Sequence, residues 1–519
     1  MTHDSVRSVW IVTREYAGIA EAGGVKNVAC SLAEGLVRSG REVVAFIPLY
    51  GCVSLQGVPV YSCSIRVAKQ SYRVRFLEAS VHGVRIMLVE AVIYSQKQAV
   101  YVYTGSEPRT VRGAVRGKGH ADVDIMNILF CRAVIEYARQ AGSGPDILHC
   151  QDAHTALLPP LVRSDGPNDI LFRDTRMIVT IHNAGPGYRQ TIAGLSRAAL
   201  LTGLSEQLLS GAYVNGQVEP FLLAAPYAEL TTVSPWYAEE LLSQEHGYLT
   251  GELSAEFAAR GITVTGITNG IDADRYDPRD PSRSLLPYAF DPSSGDLSGK
   301  YLLRTEYERR ALASAKENDH LECFGSLDPA PHAVYYAYHG RIAWQKGLDV
   351  LEKAARIVLD QQPDARFAVL GQGDPVLESL LVRMAQQHPG RFIYVRGYER
   401  SLARMTVAMA DFLVLPSFFE PCGLEDYIGQ IFGTIEDGKT GFLYPGTTEV
   451  EDARVLARLL LDLALPIVSS PSEGCSGVPR YLEIIRRAAR HVRESCNWDS
   501  IIAERYIPLY EKKIIPGSA

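Results

Sequence analysis

The chain has 519 residues, too many for one hydrophobic core, so two or three domains of ~100–200 residues are expected. A hydrophobic fraction of 47% and a charged fraction of 21% are ordinary for a globular enzyme. The net charge of −7 and the absence of any Lys/Arg-rich tract argue against a nucleic-acid binder and favour a ligand recognised by local groups.

The chain opens on an apolar run, Val9 to Val12, which Thr13, Arg14 and Glu15 end too early for a signal peptide. No stretch reaches the ~18 apolar residues of a membrane span, so no membrane partner is expected. The pattern over residues 8–13 is a strand, followed by a loop that ends at Gly23-Gly24. An apolar 3.6-residue period over 25–37 predicts a helix, and 42–48 a second strand. Strand, glycine turn, helix and strand begin a doubly wound sheet. Residues 55–100 alternate with period two, as an antiparallel insert would. Further strands are expected at 147–150, 177–181 and 230–233, with helices at 156–162 and 236–242.

The second half repeats the arrangement. Strands are expected at 333–339, 366–370, 392–396 and 412–416, and helices at 347–360, 376–387 and 401–410. Two Ser/Pro/Gly/Asp-rich stretches, 291–300 and 326–331, read as the region between the domains. A helix over 480–493 precedes a last segment, 498–510. The nine cysteines are scattered without C-x-x-C spacing, which suits buried thiols in a reducing, cytosolic setting.

In such sheets ligands bind beyond the carboxyl ends of the strands, so the loops there carry the chemistry. After the strand ending at His339 come Gly340-Arg341 and Lys346-Gly347, two cations on one loop at a helix start. A helix N-terminus favours anions, Arg grips phosphate with a fork and Lys adds a point charge, so the loop suits a diphosphate. The same residues would also suit a solvated basic loop. After residues 412–416 come Glu420-Pro421-Cys422-Gly423-Leu424, with a carboxylate for hydroxyls and a glycine that admits close approach. Glu420 is equally suited to capping a helix. Gly371-Gln372-Gly373-Asp374 is a common turn pattern, weak by itself. In the first half, strand ends carry His149 to His154, Thr180 to Asn183, and Ile267 to Asp272. No further ligands gather near His149, Asp152 and His154, so no metal is expected. Asp122 and Asp124 match a D-x-D pattern but sit in a helical run and read as a solvated face.

Taken in order, Ala22-Gly23-Gly24, residues 149–154, 180–183, Thr232-Val233-Ser234-Pro235, 268–272, 340–347, 370–375 and 416–424 resemble bacterial glycogen synthase and plant starch synthase. The resemblance spans nearly the whole chain, and Glu-Pro-Cys-Gly-Leu is its most specific block. It implies an α/β chain with two facing Rossmann-like doubly wound domains, the GT-B type of glycosyltransferase. The expected domains are 1–272, for acceptor and catalysis, and 273–497, for the nucleotide sugar, with 498–519 crossing back to the first. It also implies a retaining glucosyltransferase, with ADP-glucose or UDP-glucose as donor and an α-1,4-glucan as acceptor. No cofactor or metal is implied. Arg341 and Lys346 would hold the diphosphate, while Glu420 and the amides of Cys422 and Gly423 would hold glucose hydroxyls, with Leu424 beside them. His182 would lie under the reacting sugar and Asp152 near the reaction centre. Gly23, Gly24, Asn183, Asn269 and Gly373 would line the substrates.

Two departures stand out. Where the family has a donor-binding Lys before the glycine pair, this chain has Glu21, with Lys26 beyond it as a substitute cation. After Gly433-Thr434, the chain runs through Ile435-Glu436 straight into Asp437-Gly438-Lys439-Thr440-Gly441, where a strand and loop of about 20 residues is expected. A degenerate glucan-binding relative, or another retaining GT-B transferase of the sucrose or trehalose type, therefore stand beside the glucan enzyme as alternatives.

Overall fold

The structure is a computed structural model that describes residues 6–512, except 105–106, 108–113, 165–169, 245–246, 319, 331–332, 419–427, 429–448 and 469–478. It separates into two compact α/β units, Met1–Gly270 with Trp498–Ala519, and Ile271–Asn497.

The first unit is built on β1 (Ser8–Val12), β2 (Glu42–Pro48), β3 (Val58–Val67), β4 (Gln70–Val81), β5 (Val84–Glu90), β6 (Ile147–Gln151) and β7 (Arg176–Ile181). A small sheet follows, formed by β8 (Ile192–Ala193), β9 (Tyr213–Val214) and β10 (Gln217–Val218). The main sheet then closes with β11 (Glu229–Thr232) and β12 (Val264–Gly266). Its order is β12-β11-β7-β6-β1-β2-β5-β4-β3, parallel from β12 to β5 and antiparallel beyond. β1 and β2 are buried almost without interruption, the signature of parallel strands covered on both faces. β3 and β4 alternate instead, as strands with one wet face must, and they form the antiparallel insert expected between residues 55 and 100.

The helix Val25–Arg38 turns Val28, Ala29, Leu32, Ala33 and Leu36 onto this sheet. Its Gly35 admits the C-terminal segment, because a Cβ there would stand 2.2 Å from Ile502 Cδ1. That segment comprises a helical turn, Trp498–Ile501, a π-helical turn, Ile502–Tyr506, and a helix, Ile507–Glu511. Pro508 explains the widened turn, since it lacks an N–H and its ring crowds the carbonyl one turn back. Arg38 pairs with Asp499 at 2.7 Å and Arg41 with Glu511 at 3.2 Å. Beneath them, the Tyr510 hydroxyl meets His149 Nδ1 at 2.8 Å, His149 Nε2 meets Thr180 Oγ1 at 2.6 Å, and Thr180 Oγ1 meets Thr231 Oγ1 at 2.7 Å. This buried chain ties the C-terminal helix to β6, β7 and β11.

The second unit has β13 (Glu322–Leu327), β14 (Val334–His339), β15 (Ala365–Gly371), β16 (Arg391–Arg396) and β17 (Phe412–Leu413) in the order β13-β16-β15-β14-β17, with β13 antiparallel at the edge. Tyr336 stacks on Phe367 and Phe412 with centroids 4.8 and 5.7 Å apart. The strand expected at 412–416 is regular only over Phe412–Leu413, although the Val414 amide still donates to Ala337.

The stretches at 291–300 and 326–331 are not a linker. They lie inside the second unit, where Arg486 donates to the Ser294 carbonyl and the helix Ser298–Glu317 buries Leu303 and Tyr307. Flexible composition marked loops within one unit rather than the passage between two. The chain passes from one unit to the other at Gly270–Ile271 and at Asn497–Trp498. Among the described residues no helix is long and apolar enough to cross a membrane.

Removing the Tyr510 hydroxyl leaves His149 Nδ1 buried without its partner. Tyr510→Phe is therefore expected to lower the unfolding free energy by about 1–3 kcal/mol, read from urea denaturation curves.

Candidate functional site

In the first unit the expected residues gather at the carboxyl ends of β1, β6, β7 and β12. β6 ends at Gln151, and Asp152 follows in the left-handed region at φ +66°, its amide donating to Thr180 O at 2.8 Å. Its side chain turns inward among the amides of His182, Ala153 and Asn183, whose dipoles favour the charged form. Oδ1 nevertheless reaches no hydrogen-bond partner, and burial, the largest influence, pushes the carboxyl up to about 7.

His182, just after β7, is buried and pushed down to about 4, so it is neutral at pH 7. Its Nε2 lies 2.8 Å from Gln151 Oε1, an acceptor, so Nε2 carries the proton and Nδ1 the lone pair. Asn183 accepts from the Gly185 amide at 2.8 Å, and Ala184 donates to the Tyr237 hydroxyl at 2.8 Å, which fixes the loop. Asn269 is buried with Oδ1 unpartnered, and Gly270 passes under Trp498 so closely that a Cβ would meet its ring at 2.8 Å.

The sequence reading passed over a second cluster. Arg14 and Glu15 served there only to end an apolar run, yet both are buried directly after β1. Arg14 donates to the Tyr50 hydroxyl at 2.7 Å and the Val100 carbonyl at 2.6 Å, and lies over the Tyr50 and Tyr101 rings. Glu15 accepts from the Gly23 amide and the Tyr101 hydroxyl, and burial raises its carboxyl above the usual range. Tyr101 stacks on His154 at 5.0 Å. The glycine turn and the loop after β6 are thereby joined. Charged residues placed immediately after an apolar strand were the available signal, because ligands sit at such strand ends.

At the first departure, Glu21 accepts from the Gly18 amide at 2.8 Å and pairs with Lys26 Nζ at 3.2 Å. Lys26, the substitute cation, is thus directed to a carboxylate. Gly24 lies exposed at the start of the helix, between Gly23 and Val25.

In the second unit three loops meet at the ends of β14, β15 and β17. Ile342 N donates to Gln372 O at 3.0 Å, and Asp374 N to Ile342 O at 2.8 Å. A Cβ on Gly373 would stand 2.0 Å from the Ile342 carbonyl, and one on Gly347 1.9 Å from the Pro416 carbonyl, where φ is also +66°. Phe418 N donates to Gln345 O at 3.0 Å. These approaches bring Arg341, exposed, and Lys346, half-buried before the helix Leu348–Gln361, beside Gly373 and the start of the segment after β17. Glu420, Cys422, Gly423, Leu424 and the junction after Thr434 lie outside the described residues.

Asp122 and Asp124 are not a solvated face. Asp122, at the N-cap position of the helix Val123–Ala141 but making no side-chain cap bond, pairs with the buried Lys97 at 2.8 Å, while Asp124 pairs with Arg197 at 2.6 Å. No group of three or more His, Cys, Asp or Glu among the described residues is placed to hold a metal ion. The described cysteines are all free thiols, yet Cys131, Cys150 and Cys496 alone are buried, while Cys52 is exposed.

The family model of the starch synthase catalytic domain matches residues 8–256, and that of glycosyl transferases group 1 matches 333–425. The glycogen synthase of Photobacterium profundum is 26% identical over 440 residues, covering 82% of this chain and 78% of its own. Glycogen synthase 2 of Geobacter sulfurreducens is 28% identical over 437 residues, covering 82% of each. Among solved structures, the catalytic domain of starch synthase IV from Arabidopsis thaliana, bound to ADP and acarbose, superposes with a TM-score of 0.74 at 22% identity, over 98% of this chain and 99% of that one. Sucrose-phosphate synthase from Thermosynechococcus elongatus follows at 0.53 and 14%, over 98% of this chain and 100% of its own.

Two α/β units with parallel sheets, and these neighbours, define the GT-B glycosyltransferase fold. Within that class, residues 8–256 match the starch synthase catalytic domain, and most of the chain is similar to bacterial glycogen synthases.

The Asp152 carboxyl sets a pH dependence. Its ordinary value is 3.8 and its folded value about 7, so folding retains a proton that the unfolded chain releases between those limits. Its contribution is full below about pH 4 and is lost as the pH rises to about 7. Asp152→Asn is expected to match the parent protein at pH 4 and to exceed it in stability at pH 8, measured by urea unfolding at both.

Proposed function

We propose that the protein transfers glucose from a nucleotide sugar to the non-reducing end of an α-1,4-glucan, with retention. The observation that carries this reading is the meeting of the Arg341–Lys346 loop with Gly373 and the segment after β17, within a chain similar to this family. Arg341 and Lys346 are assigned the diphosphate, whose charge grows as the bond to glucose breaks. Groups aimed at developing charge lower a barrier far more than they tighten ground-state binding. With two cations there, the reaction is expected to need no divalent metal.

In the first unit, the groups at the ends of β6 and β7 carry little charge. A neutral His182 leaves an oxocarbenium-like sugar unopposed by a cation, and Asp152, half protonated near pH 7, is a poor permanent nucleophile. Attack by the glucan hydroxyl on the face the diphosphate leaves, with the diphosphate taking its proton, accounts for retention without a carboxylate nucleophile. ADP-glucose is the expected donor, supported by the ADP in the starch synthase IV structure, and a cytoplasmic site of action goes with it.

Arg341→Ala and Lys346→Ala are each expected to lower transfer ~10²–10³-fold, equivalent to ~2.7–4 kcal/mol, with unchanged melting temperatures. Measured incorporation of glucose into glycogen from ADP-glucose and UDP-glucose tests the reading directly, and unchanged turnover in Lys346→Ala protein would remove the diphosphate assignment.

The Glu21–Lys26 pair and the short passage after Thr434 favour a second reading, a non-catalytic glucan-binding relative. Two charged contacts worth ~1.5–3 kcal/mol each would be missing, so donor affinity is expected at least a hundredfold below that of a relative with both. Glu21→Lys should recover part of it as a lower donor KM. If neither donor supports incorporation before or after that change, while glycogen still binds, the second reading stands.

A further inference from the structure

Two aromatic rings stand out in solvent at the ligand end of the first sheet, and no step of the proposed reaction uses them. Trp236, just after β11, is 68% exposed, and Tyr188, on the loop after β7, is 37% exposed. β7 and β11 are parallel neighbours with Thr232 opposite Ile181, so both rings belong to the strand ends that also present His182 and Asn183. Hydrogen bonds join the two elements. Ser234 accepts from the Tyr237 amide at 3.0 Å and so caps the helix Pro235–Leu241, which carries Trp236. The Tyr237 hydroxyl accepts from the Ala184 amide at 2.8 Å, on the loop of His182. Farther along that loop, the Tyr188 amide closes a turn onto the Gly185 carbonyl at 2.8 Å. One frame thus holds both aromatics and the expected reaction centre.

A single exposed apolar residue is ordinary on a protein surface. Trp236 differs in being held. Its indole N–H donates to Glu240 Oε1 at 3.1 Å, one helical turn on, which fixes the ring by its edge while most of its surface stays open. A broad apolar face suits the C–H face of a pyranose ring, whose hydroxyls lie round its edge. Charge narrows the ligand further. Glu239, exposed, and Glu240, half-buried, follow Trp236 on the same helix. A nucleotide phosphate would meet repulsion from them, whereas a sugar hydroxyl donates to a carboxylate.

We propose that Trp236, with Tyr188 on the adjoining loop, is a stacking face for the α-1,4-glucan, binding glucose units of the acceptor away from the one that reacts. The identity of the glucan rests on the proposed reaction, but stacking needs no turnover. Trp236 lies to one side of His182, since a strand spacing of ~4.8 Å and the start of a helix separate them. A long acceptor reaches both places, and a disaccharide seated at the reaction centre does not.

Of the four tryptophans, Trp10 and Trp498 are buried, so iodide reaches Trp236 and Trp344. In the full chain carrying Trp344→Phe, iodide quenching therefore reports on Trp236. Maltoheptaose is expected to protect that fluorescence in a saturable way, and ADP is expected to leave it unprotected. In elongation assays Trp236→Gln is expected to raise the KM for maltoheptaose roughly fivefold, with the donor KM unchanged and Trp236→Tyr close to the parent protein. Quenching unaltered by saturating maltoheptaose, protection by ADP instead, or a maltoheptaose KM that Trp236→Gln leaves unchanged would overturn the proposal. Should Trp236→Gln fail to fold, the quenching of the chain that keeps Trp236 decides the matter. Elongation without protection removes the stacking face alone. Protection without elongation supports the stacking face and counts against the proposed reaction.

Discussion

Asp152 is a buried carboxyl on a backbone held in a conformation that side chains other than glycine rarely adopt. Nearby amides favour its charge but do not satisfy both oxygens, so the end of β6 is a place where stability is spent. The surrounding architecture offsets that cost. Thr180 receives the Asp152 amide and, through its hydroxyl, joins the chain from Tyr510 to Thr231. His182 is held through Gln151, the residue before Asp152, so the two expected site residues share one support. A strained acid is tolerable here because the strand ends around it are fixed from beneath by groups that never touch a substrate.

The second unit meets a different constraint, the close packing of main chain on main chain. Gly347 against Pro416, Gly371 against Gly340, and Gly373 against Ile342 leave no room for a Cβ. Three strand ends thus become one surface. Arg341 and Lys346 gain their position from neighbours without side chains, and the basic pair is set by glycines distant in sequence.

Sequence periodicity located most of the parallel strands, though not β5 or β12, because strands covered on both faces read as short apolar runs between turns. Helices such as Val25–Arg38 and Pro375–Gln387 were legible from their stripe of apolar residues. Composition did not mark the passages between units. Ser, Pro and Gly cluster wherever a loop is needed, so composition placed the boundary inside the second unit. The Arg14–Glu15–Tyr101 cluster was hidden for another reason. Its members come from distant points of the chain and meet only once β1 is laid beside its neighbours, so no local spacing announced them. Asp122 failed in the opposite way, since a two-residue motif drew attention to a carboxylate that Lys97 had already claimed.

The two passages between units give the first unit a discontinuous chain. Its largest stretch is synthesised early, but Trp498 to Glu511 emerge only after the whole of the second unit. Until then the groove over Gly35, the flank of Gly270 and the far side of His149 lack the residues that cover them. During synthesis the second unit can become compact while the first still waits for its lid, so the nascent chain exposes apolar surface at the stage when chaperones are most needed. Completion of the first unit is thus coupled to the arrival of the helix Ile507–Glu511, and a product that stops short of it declares itself by an uncovered core.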